Sequence, residues 1–129
     1  MHIELLMLAL SVILGLVQIV LPAWGAVSSR GLRWALGPRD EVFPPVSGIS
    51  GRLGRALRNF LETFPLFAAA LLAVMASGRT DALSILGAEL YFWARLFYVP
   101  VYAIGIAGLR TLIWLVSILG IVLILLVLL

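Results

Sequence analysis

Every residue from Leu5 to Ser29 is uncharged, and a run of that kind constrains this chain more than any other feature. A helix needs about 20 mostly apolar residues to cross the hydrocarbon core of a bilayer, where backbone N–H and C=O groups must bond within the segment. Comparable runs recur between short polar stretches. They predict four transmembrane helices at approximately residues 3–27, 51–77, 82–107 and 109–129. The expected class is an all-α integral membrane four-helix bundle, a single domain over residues 1–129. With 64% hydrophobic residues, 12% charged residues and a mean hydropathy of +1.19, the composition excludes an ordinary soluble domain.

All nine basic residues are arginines, and they give the chain a net charge of +3. They stand beside apolar runs with no soluble domain around them, which argues against nucleic acid as a partner. Cysteine is absent, so no disulfide, thiolate metal site or protein thiol nucleophile is available, and no metal is expected. Any thiol chemistry has to arrive with a cofactor or substrate. The first run is preceded by His2 and Glu4 and lacks the positive flank of a signal peptide, so it reads as a retained helix.

The single long loop, from Ser28 to Gly51, is rich in Gly, Pro, Ser and charge, and Ser50 is a candidate N-cap for the second helix. Gly48, Gly51 and Gly54 are spaced like a phosphate-binding loop, yet no strand precedes them and no GK[ST] follows. In the turn SGRTD, Thr80 or Asp81 can cap the third helix. Arginines concentrate around the long loop and at Arg110. By the positive-inside rule that loop is expected to be cytoplasmic and both termini outside, in a membrane read as a bacterial inner membrane.

Two polar stripes interrupt the apolar helices. At about 100° per residue, Arg52, Arg55, Arg58, Asn59 and Glu62 fall within an arc of roughly 120° on the second helix. On the third, Arg95, Tyr98 and Tyr102 fall within roughly 60°, joined by Tyr91. Snorkelling arginines account for the outer members of the first stripe, and an interfacial aromatic belt accounts for tyrosines near the surface. Neither explains Asn59, Glu62 and Arg95, because ionisable groups at membrane depth face a bundle interior or a watery cavity. Glu89 points away from the second stripe and has no evident partner.

A site with several guanidiniums, one carboxylate, one amide and two phenols suits a small zwitterion bearing carboxylates, which arginine forks hold bidentately. Glutathione has that chemistry and brings the thiol that the chain lacks, but residue types alone do not select it over other anions.

The segments RALRNFLETFPLF from Arg55, ARLFYVPVY from Ala94 and LRT from Leu109 resemble the MAPEG family, membrane-associated proteins in eicosanoid and glutathione metabolism, here in a bacterial-looking branch. The resemblance spans nearly the whole chain in helix number, loop length and motif order. It implies a homotrimer that binds glutathione between subunits near the cytoplasmic face. It further implies glutathione contacts at Arg55, Asn59, Glu62, Arg95, Tyr98 and Tyr102, with Arg30 another arginine near the thiol by position alone. Arg110 resembles the arginine that stabilises the thiolate, and Thr111 takes the place of a serine in some members.

The implied function is a membrane-bound glutathione-dependent transferase or lipid hydroperoxide peroxidase, whose lipophilic electrophile or lipid hydroperoxide enters from the bilayer. Thr63, Leu57 and Tyr98 depart from residues found in some members, which argues against assigning a particular eicosanoid reaction. Some members have no established catalysis, and the alternative is a non-catalytic protein of the same fold binding an anionic lipid or small anion.

Overall fold

The computed structural model describes residues 2–129 and contains five helices: α1 (Ile3–Arg30), α2 (Leu32–Leu36), α3 (Gly48–Ser77), α4 (Ala82–Ile104) and α5 (Ala107–Leu128). No strand occurs among the described residues. All but α2 are long and apolar enough to cross a membrane. The protein is therefore an all-helical, integral membrane four-helix bundle.

Contacts at the helix ends fix the order up, down, up, down. At one mouth the Arg52 guanidinium on α3 donates to the Ala103 carbonyl on α4 at 2.8 Å. At the other, Arg79, just past α3, donates to the Leu128 carbonyl on α5 at 2.6 Å, and the buried Glu4 of α1 accepts from the Ser84 hydroxyl of α4 at 2.9 Å. Short turns thus join antiparallel neighbours, as the loop lengths predict.

The core lies where α1, α3 and α4 meet, around Leu14, Phe60, Phe67, Leu71 and Tyr91, and α5 closes it with Ile121 and Ile124. Phe67 stacks on Tyr91 with ring centroids 4.0 Å apart, and the Tyr91 and Thr63 hydroxyls are 2.9 Å apart. Tyr91, which shares its face with the outer tyrosines, is consequently packed beneath them. Helices α4 and α5 cross at Gly87 and Gly120: a Cβ on either glycine would lie 2.6 Å from the other's carbonyl oxygen. Only the absent side chains allow that approach, the small-residue device of membrane helix packing.

The boundaries differ from expectation in physically informative ways. α1 runs three residues further, to Arg30, where Gly31 at φ 89° breaks it and turns the chain into the five-residue α2, too short to give a periodic signal. α3 starts at Gly48, so the spaced glycines belong to its helical first turns, and Ser50 lies inside the helix. Ser47 takes the N-cap position without a side-chain capping bond. The third helix ends at Ile104, earlier than expected, and the last begins at Ala107. Asp81 does cap α4: its carboxylate accepts from Leu83 and Ser84 N–H at 2.8 and 3.0 Å, and Ser84 Oγ accepts from Asp81 N–H at 2.9 Å. Prolines 22, 65 and 100 all lie within continuous helices.

Candidate functional site

A cavity of about 440 Å³ opens between α3, α4 and α5 at the mouth where Arg52 meets Ala103. From α3 it is lined by Arg55, Arg58, Asn59 and Glu62, the inner part of the first stripe. Tyr98 and Tyr102 contribute from α4, and α5 adds Arg110, Thr111 and Trp114. Seven of the nine residues singled out from the sequence therefore line one space.

The site is built by helical period. Arg55, Asn59 and Glu62 are four and three residues apart, Tyr98 and Tyr102 four apart, and Arg110 and Trp114 four apart, so each set shares one face. The Arg110 guanidinium sits 4.7 Å from the Tyr102 ring centroid and that of Arg55 sits 6.0 Å from it, which gathers two cations about one phenol. Tyr98 and Tyr102 tilt against each other at 5.6 Å. The Thr111 hydroxyl donates to the Ala107 carbonyl at 3.1 Å, so its proton is engaged within α5.

Arg95 lies beneath this space as a support. Its side chain is 1% exposed, its Nη1 donates to Asn59 Oδ1 at 2.7 Å, and its guanidinium lies 4.2 Å from the Tyr98 centroid and 5.7 Å from that of Phe60. Its Nε and Nη2 have no hydrogen-bond partner among the described residues, nor does the buried Nε1 of Trp114. Arg95 thus orients the amide of Asn59 and lends positive potential from below.

Arg30 is elsewhere. It donates to the Pro44 carbonyl at 3.0 Å and stacks 4.8 Å from the Trp34 centroid and 5.7 Å from that of Phe43, inside the long loop. It does not join the other site residues. Trp114 carries no charge to mark it in the sequence, and its four-residue spacing from Arg110 is the signal that puts it on the cavity face.

The fold and site define a polytopic helical membrane protein with a cavity of arginines and phenols at one mouth. More narrowly, the chain belongs to the MAPEG family, whose model matches residues 7–129. At family level, membership carries membrane-bound, glutathione-related transferase or peroxidase chemistry. Comparison with curated proteins gives no match.

Proposed function

We propose that the protein is a glutathione-dependent transferase or lipid hydroperoxide peroxidase, and that the cavity between α3, α4 and α5 is its glutathione site. One observation carries this reading: groups of the charges needed to hold a peptide zwitterion line a single space reached from three helices. Arg55 binds a glutathione carboxylate, Glu62 the ammonium group, and Asn59, held by Arg95, a peptide group; Tyr98 and Tyr102 supply hydroxyls. Arg110 faces the thiol, favouring the thiolate, which is the nucleophilic form. Thr111 assists through its oxygen, since its proton is bonded to α5.

In conjugation, the thiolate sulfur forms a bond to the electrophilic carbon as the leaving group departs with the bonding pair, and the thiol proton goes to water. In peroxide reduction, two glutathiones are oxidised to the disulfide while the hydroperoxide is reduced to an alcohol and water. The lipophilic partner reaches the cavity from the bilayer.

In this reading the protein is a homotrimer in a bacterial inner membrane, with the long loop cytoplasmic and both termini outside. Arg30, remote from its own subunit's cavity, is offered to a neighbouring subunit. The test is conjugation of glutathione to an aryl halide by detergent-purified protein. Arg110→Ala is expected to lower kcat on the order of 100-fold, as loss of a charge-stabilising donor does. Unchanged turnover in that variant removes Arg110 from the mechanism.

A further inference from the structure

The long loop carries a second cavity, of about 400 Å³, whose polar lining includes Arg33, Arg39, Asp40 and Glu41 around Trp34. We propose that it is a head-group site for a phospholipid bearing phosphoethanolamine, with Arg33 and Arg39 holding the phosphate and Asp40 and Glu41 the primary ammonium.

The depth is right for a lipid. Transmembrane α1 ends at Arg30, and α2 follows directly after Gly31, so the loop begins at the membrane surface. Beside its charges, Leu36 is 79% and Val42 98% exposed within the subunit. Acyl chains cover such aliphatic groups at the boundary of the hydrocarbon, where the neighbouring charges meet head groups.

Charge and geometry select the head group. Arg30 and Arg39 stack on the same indole, 4.8 and 4.7 Å from its centroid, which concentrates positive charge about Trp34 and favours an anion beside Arg39. Arg39 adopts φ 62°, a conformation non-glycine residues rarely take, and anchors there by donating to the Ala35 carbonyl at 3.1 Å. Guanidinium forks match phosphate oxygens. The two carboxylates in the same lining, Asp40 and Glu41, can accept hydrogen bonds from a primary ammonium next to the phosphate, which ethanolamine supplies. A glycerol head group brings none, and a trimethylammonium cannot donate a hydrogen bond to them.

The experiment incubates delipidated, detergent-purified full-length protein with equimolar phosphatidylethanolamine, phosphatidylglycerol and phosphatidylcholine of identical chains, and reads retained lipid by native mass spectrometry. The ethanolamine lipid is expected to be retained over each of the others by roughly fivefold, the strength of a solvent-accessible ion pair. Asp40→Asn with Glu41→Gln should abolish that preference, and Arg33→Gln with Arg39→Gln should lower retention of all three lipids. Equal retention by the wild-type protein, no retention, or a preference that survives the paired acid substitutions overturns the proposal. The wild-type comparison needs no substitution, so a variant that fails to fold does not shield it. Chain-free O-phosphoethanolamine separates the two sources of the same chemistry. Competition by it at concentrations equal to the lipid's would assign the site to a soluble phosphate ester and refute the membrane lipid.

Discussion

At the scale of single residues, Arg95 is a buried cation whose guanidinium makes one hydrogen bond among the described residues, to Asn59. The faces of Tyr98 and Phe60 offset only part of the cost of its burial. Asn59→Ala leaves that guanidinium without its partner, and we expect a loss of about 1.5–3 kcal/mol, the worth of a hydrogen bond to a charged group. Thermal unfolding in detergent measures it, and combining the change with Arg95→Met should give less than the sum of the two single losses. Asn59, Glu62 and Arg95 were legible in the sequence because strongly polar and ionisable groups at membrane depth have few harmless explanations. Other residues were not. Trp114 looks like any interfacial tryptophan until the α5 face is known, and the position of Arg30 depends on a loop whose path no period predicts. Gln18 on α1 is likewise buried, and neither of its amide atoms has a partner among the described residues.

At the scale of elements, the crossing of α4 and α5 brings the backbones of two helices into direct contact. A side chain at Gly120 would meet the Gly87 carbonyl and the Tyr91 N–H nitrogen at 2.6 and 2.9 Å, both backbone atoms that cannot swing aside. Gly120→Leu should therefore force the helices apart and lower the melting temperature far more than Leu119→Ala, on the exposed face one residue away. At the start of α4, Asp81→Ala is expected to cost about 1 kcal/mol, since it removes the capping carboxylate from two N–H groups. That cap was legible because Asp81 directly precedes an apolar run. The start of α3 was not, because glycines at residues 48 and 51 carry the composition of a loop into the first turn of a helix. Helix count and order came from run length alone, while the glycine crossing needs the relative rotation of two helices, which no single run contains.

At the scale of the whole molecule, four antiparallel helices bring Arg55, Tyr102 and Arg110 to one mouth, which the proposed orientation makes cytoplasmic. The absence of cysteine makes that orientation directly measurable. In sealed vesicles Ser47→Cys should react with an impermeant thiol reagent from the cytoplasmic face and Thr80→Cys from the opposite face; the reverse pattern inverts the topology. The meeting of the two polar stripes was legible from alternating helix direction and turn length. On α5 only Arg110 and Thr111 were marked, and those by the family resemblance, because an otherwise aliphatic helix gives little sign of which side faces inward. The central claim is that this cavity holds glutathione, and equilibrium titration of the purified protein with glutathione tests it most directly. Saturable binding is predicted, weakened roughly tenfold or more by Glu62→Gln and by Arg55→Ala, each of which removes a charge-assisted contact. Absence of saturable binding, or undiminished binding by both variants, would contradict the account.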